Sequence, residues 1–146
     1  MKDTYLYFRA VADEDNDDGD GASSSVNPTS IAIPTRNITG IAPASNATIA
    51  IKFLSVRNQG PHGGWAGATG EEIIQDTITI ACNTHRHQGV INAIIGAMND
   101  VHRDGFIDVC DDVTTNYAGT TISAVRLHQD ITGVADTGIS VAAAIS

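Results

Sequence analysis

The stretch 83–105, NTHRHQGVINAIIGAMNDVHRDG, is the part of the chain whose local structure is most constrained. Val90, Ile91, Ile94, Ile95, Met98 and Val101 recur at the i, i+3, i+4, i+7 spacing that gives a helix one buried face. Asn83 or Thr84 offers a short side-chain oxygen to the free backbone N–H groups at the start. Gly105 follows the last periodic residue and can take the left-handed conformation that ends helices. The spacing predicts one long amphipathic helix over about 84–104. The remainder reads as strand and loop, so the helix must find a sheet to cover. The expected class is α+β: mainly antiparallel β-sheet, or a small sandwich or barrel, with this helix packed on it.

The strand signals are alternations of two. YLYFRAVA, 5–12, sets Tyr5, Tyr7 and Arg9 against Leu6, Phe8 and Ala10. In TIAIKFLSV, 48–56, Ile49, Ile51 and Phe53 share the predicted core face. In EEIIQDTITIAC, 71–82, Ile78 and Ile80 point inward and Thr77 and Thr79 outward. Pro28, Pro34, Gly40 and Pro43 break 26–45 into short strands and turns, with Ile38 and Ile41 tucked inward. Phe106 to Cys110 is a short strand stopped by Asp111 and Asp112, and 122–127 is another. With only three Phe, three Tyr and one Trp in 146 residues, the core must rest on Ile, Val, Ala and Leu. That length suits a single domain, 1–146, with one real core.

Two segments interrupt the pattern. DEDNDDGD, 13–20, holds six of the seventeen acidic residues and opens a polar loop, 13–25, that repulsion keeps outside. The second, 58–70, is a glycine-rich loop around Trp65. The formal net charge of −9 argues against binding nucleic acid phosphates or an anionic membrane surface. No apolar run approaches the roughly 20 residues that span a bilayer. MKDTYLYFRA does not read as a secretory signal, so the two N-x-T triplets at Asn37 and Asn46 are expected to be chance. Cys82 and Cys110 are expected as free, partly buried thiols. By alternation Cys82 shares a face with Ile78 and Ile80, and Cys110 with Phe106 and Asp108.

Candidate chemistry is sparse. Glu14, Asn16, Asp18 and Asp20 have the alternating oxygen donors of a calcium loop, a hard cation's preference. Ser25 stands where a bidentate Glu would close such a loop, so a solvated acidic surface is the plainer reading. His85 and His87 lie two apart, which points them in different directions on a helix, and only Cys82 is near enough in sequence to be a third metal ligand. No nucleophile signature surrounds either cysteine, and no phosphate-binding glycine pattern is present. The expectation is no enzyme and no cofactor beyond a possible Ca²⁺. Trp65, and Ile139, Val141 and Ile145 in the uncharged C-terminal end, are the candidate interface residues.

Taken in order, the strand leading into ITIACNTHRHQGVINAIIGAMN, then GFIDVCDDVTTNY and ITGVADTGISVA, resembles small virion structural proteins of marine tailed phages, especially cyanophages. In that group a strand, an N-T-H helix start, an A-I helix and a D-D-V/L-T turn recur in this order. The resemblance runs over nearly the whole chain. It implies a non-enzymatic capsid decoration or cement protein, located in the virion. Its partners would be itself, as a symmetric homo-oligomer such as a trimer, and the major capsid or another virion protein. The acidic loop departs from that group in its length and charge. Two other readings fit the residues: a subunit of an extracellular filament or tube assembled by exchange of the first or last strand, and a small Ca²⁺-dependent interaction module.

Overall fold

The computed structural model describes residues 4–10, 30–54, 75–100, 105–116 and 118–140. These form eight strands and one helix: β1 (Tyr5–Arg9), β2 (Ser30–Pro34), β3 (Ile38–Ser45), β4 (Thr48–Leu54), β5 (Gln75–Cys82), α1 (His87–Met98), β6 (Phe106–Asp111), β7 (Val125–Arg126) and β8 (Ile131–Ser140). A 3-10 turn, Thr35–Asn37, joins β2 to β3. The strands sort into two sheets of four, ordered β2-β1-β6-β7 and β3-β4-β5-β8. All pairings are antiparallel except β1 with β6. The α+β class with mainly antiparallel strands is what forms; the barrel alternative is not, because the two sheets do not close on each other through hydrogen bonds.

The inward residues follow from alternation. Leu6 pairs with Ile33 on one side and Ile107 on the other, placing three aliphatic side chains in one row. In the second sheet, Ile51 lies opposite Ile41 and Ile78, and Ile78 opposite Ile139. These rows, with Phe8, Phe53, Ile49, Ile80 and Val109, belong to one core shared by both sheets. Burying each such side chain is worth about 1.5–3 kcal/mol, so this shared core dominates the stability. Asp76 is buried as well, opposite Phe53.

The helix is shorter than its apolar spacing predicts. Residues 101–104, including Val101, lie outside the described residues, and α1 runs only from His87 to Met98. Asn83 does not cap it. Its backbone N–H donates to the Asp130 carbonyl at 2.8 Å and its Nδ2 to Asp130 Oδ1 at 2.9 Å. His85 then takes a left-handed φ of 62°, and Arg86 becomes the N-cap without a side-chain bond. At the other end the Asn99 N–H bonds to the Ile95 carbonyl at 3.1 Å, and Asn99, not Gly105, is the cap. Val90, Ile94 and Ala97 are the buried stripe and Ile91 and Met98 flank it, but Ile95 is 44% exposed. The helix packs against β3 and β6, so it touches both sheets. No helix among the described residues is long and apolar enough to cross a membrane.

Two further expectations change. Between Tyr7 and Phe8 the parallel register slips: Tyr7 pairs with Asp108 but Phe8 with Cys110, leaving Val109 as an extra residue. This bulge resets the phase of β6. Cys110 therefore turns into the core beside Phe8, away from the face of Phe106 and Asp108. The strand expected over 122–127 shrinks to Val125 and Arg126. Ile122 instead belongs to a small hairpin-like loop, where its N–H donates to the Thr114 carbonyl at 2.8 Å. Asn116 organises that loop, its Oδ1 accepting from the N–H groups of Ala118 and Thr120, each at 3.0 Å.

Candidate functional site

Three places gather polar or apolar groups in a way the core does not require. The first is a cleft of about 290 Å³ at the start of α1, lined by His85, Arg86, Gln88, Gly89, His128, Gln129 and Asp130. The tie between Asn83 and Asp130 brings the helix start against the turn before β8. The Asp130 N–H donates to His128 Nδ1 at 3.1 Å, which puts the ring proton of neutral His128 on Nε2. A Cβ added at Gly89 would lie 3.5 Å from His128 Cε1, so the ring rests on the first turn of the helix. The lining residues include no hydroxyl or thiol nucleophile, and His128 Nδ1 stands 3.7 Å from Asp130 Oδ2.

The histidines expected near this point are separated. His87 Nε2 donates to the Ser45 carbonyl at 2.7 Å, while the His85 side chain is exposed at the cleft. Cys82 is buried on the face of Ile78 and Ile80, and burial, then the Asp130 carboxylate, push its thiol up from the ordinary value. Among the described residues no three His, Cys, Asp or Glu side chains converge on one point.

The second place is the polar edge where β6 and β7 meet β8. Asp112 accepts the Val134 N–H at 3.0 Å and pairs with Arg126 at 2.6 Å. Arg126 also donates to the carbonyls of Asp111, at 2.8 Å, and Thr132, at 3.3 Å. The Cys110 thiol donates to Asp112 Oδ1 at 3.5 Å. Burial and then the Asp112 charge push the Cys110 thiol up to about 12; Arg126 opposes this, and the bond to Asp112 and the Asp111 charge add to it. This cluster clamps one sheet to the other. Nothing in local sequence signals it, because Asp112 stands 14 residues from Arg126 and 22 from Val134 and none of them carries a motif.

The third place is the outward face of the first sheet. Tyr7 and Phe106 pack with ring centroids 5.0 Å apart, and Phe106 is 53% exposed. Arg9 holds Asp111 through two parallel bonds of 3.0 Å each. Beside them, Asp108 has an oxygen, Oδ1, that is buried without a hydrogen-bond partner. Burial, then the neighbouring Asp111, raise its carboxyl above the ordinary range, and Arg9 offsets part of this. The pairing of Phe106 with Tyr7 was not legible in the sequence, because it depends on the parallel register of β1 and β6.

Of the residues singled out from sequence, Glu14, Asn16, Asp18, Asp20, Trp65, Val141 and Ile145 lie outside the described residues, as do the loops 13–25 and 58–70. Ile139, expected at an interface, is 3% exposed and sits opposite Ile78 in the core of its own chain. Its side chain is spent on closing the second sheet. Comparison with protein-family models, curated proteins and solved structures returns no match.

Proposed function

We propose that the chain is a non-enzymatic virion structural protein, a capsid decoration or cement component that stabilises the particle by contacts with its own copies and with the shell. The observation that carries this reading is apolar surface left outside a fully packed core: Ile95, Phe106, Ile122 and Val125 are each more than a third exposed. Scattered single residues of this kind are ordinary, but Phe106 also packs against Tyr7 on the outward face of the first sheet. A second support is the resemblance of the segment order to that of small phage structural proteins. Coat components act through repeated modest contacts multiplied by symmetry, which asks for a stiff scaffold with exposed patches and no reaction centre.

Assembly by strand exchange draws less support. The first strand, β1, lies inside its sheet between β2 and β6, and the last strand seats Ile139 in its own core. The test is mass spectrometry and labelled-antibody microscopy of particles purified from the lysate in which the chain is made. The chain should co-purify in fixed stoichiometry and lie on the outer surface. Recovery only in the particle-free fraction would sink the reading.

A further inference from the structure

The outward face of the first sheet holds one carboxylate that the fold leaves unsatisfied. Tyr5, Tyr7 and Arg9 of β1 alternate with buried Leu6 and Phe8, and Phe106 and Asp108 of β6 flank buried Ile107. The register sets Tyr7 beside Asp108 and Arg9 beside Asp111. Arg9 shows how this face holds a cation. Its guanidinium takes Asp111 through two bonds of 3.0 Å and lies 6.0 Å from the centroid of the Tyr7 ring. Phe106 and Asp108, two apart on one strand face, offer a second ring and a second carboxylate. There the cation is missing: Phe106 is 53% exposed, and Asp108 Oδ1 is buried with no hydrogen-bond partner. A carboxylate oxygen withdrawn from water without a donor costs stability, so its presence calls for a reason.

We infer that Phe106 and Asp108 form a receptor for an arginine side chain of a partner protein. The class of occupant follows from charge and shape. Arg9, Asp108 and Asp111 set two carboxylates against one guanidinium, in a chain of net charge −9, so the group that balances this face is a cation. Asp108 feels the imbalance: burial, then Asp111, raise its carboxyl, and Arg9 offsets only part of this. The residue is half-buried, so an incoming group still reaches the carboxylate. Residues two apart on a strand stand about 7 Å from each other, close enough for one group to meet both side chains. A guanidinium is flat and weakly hydrated, and it can lie on the exposed ring while it forks onto the carboxylate. An ammonium is a compact, strongly hydrated point charge with no face to lay on the ring.

For its partner the inference rests on the particle-component reading above, and it names one contact that partner makes. The test is an NMR titration of the full chain with N-acetyl-arginine amide, N-acetyl-lysine amide and N-acetyl-glycine amide. It follows the main-chain N–H of residue 108 and, where present, the Phe106 ring. Arginine amide should give saturable shifts at both, with a dissociation constant on the order of 10 mM, as suits one ion pair and one ring contact. Asp108→Asn should weaken that binding about fivefold or more and Phe106→Ala about threefold, while Ile122→Ala, exposed elsewhere, leaves it unchanged. Asp108→Asn removes an unsatisfied charge and does not threaten the fold, so lost binding there reads the contact and not unfolding. Lysine amide should bind more weakly, and glycine amide should give no saturable shift. The inference is overturned by lysine amide binding as tightly as arginine amide, by either variant at this site binding like wild type, or by no saturable shift at these residues. None of these outcomes touches the co-purification test, which decides the particle reading by itself.

Discussion

The clamp between the sheets makes a prediction that a single substitution cannot mimic. Gly133 has φ 155°, and a Cβ built there would lie 3.2 Å from Asp112 Oδ2 and 3.3 Å from Oδ1. The carboxylate cannot step aside, because it is held by the Val134 N–H and by Arg126. Asp112→Ala removes one charge-assisted bond to the main chain and one partly buried ion pair, a loss of about 2–4 kcal/mol. Gly133→Ala strains the backbone and crowds the carboxylate, together about 2–3 kcal/mol. In the double variant the crowding vanishes, because the oxygens that the new methyl meets are gone, and only the backbone strain remains. The two losses should therefore fall short of additive by about 1 kcal/mol, well above the ~0.3–0.5 kcal/mol expected of independent sites. Urea unfolding followed by far-UV circular dichroism reads all four corners of the cycle, with a constant m-value as the check on two-state behaviour. Strict additivity would show that Gly133 is required for its backbone alone and that the carboxylate is not fixed where the structure puts it.

Three other predictions follow from the same geometry. In the fold the Cys110 thiol is pushed up to about 12 from an ordinary value of 9.0, so the folded state keeps its proton while the unfolded chain loses it. Stability is therefore lost as pH rises above 9, by about 1.4 kcal/mol at pH 10, and this part of the slope should disappear in Cys110→Ala. Asp108 is raised in the folded state, so its carboxylate destabilises the fold as pH climbs through and above the ordinary carboxylate range. Asp108→Asn should raise the denaturation midpoint at pH 7 and lose that advantage in acid; a lower midpoint at pH 7 would show that the carboxylate has a partner. Phe8 is fully buried between β2 and β6, so Phe8→Ala should cost about 3–5 kcal/mol in chemical denaturation, and a loss below 1 kcal/mol would contradict the shared core.

What was legible in the sequence was whatever one period decides. The alternation of β4 names Ile49, Ile51 and Phe53 as core, and all three are buried; the same rule sorts Ile78 and Ile80 from Thr77 and Thr79. The helical period found Val90 and Ile94. It failed at the helix ends, since Asn83 had two uses and Asp130, 47 residues away, claimed it before the helix could. Alternation failed at Cys110 because a bulge is one extra residue, which inverts every later side chain without leaving a mark in composition. Of the polar clusters, the Asp112–Arg126 clamp was invisible for a related reason: its parts are ordinary residues whose meaning comes from the register of strands that local pattern does not fix.

The clamp also bears on how the chain places its few positive charges. The chain has eight Lys and Arg, and two of them, Arg9 and Arg126, are drawn into ion pairs with Asp111 and Asp112 at the β6 end of the first sheet. Those pairs neutralise carboxylates that the fold itself crowds together. Each pair uses one cation and one carboxylate, so the excess of acidic residues behind the net charge of −9 lies elsewhere in the chain. Cohesion between the sheets thus draws on a scarce positive charge.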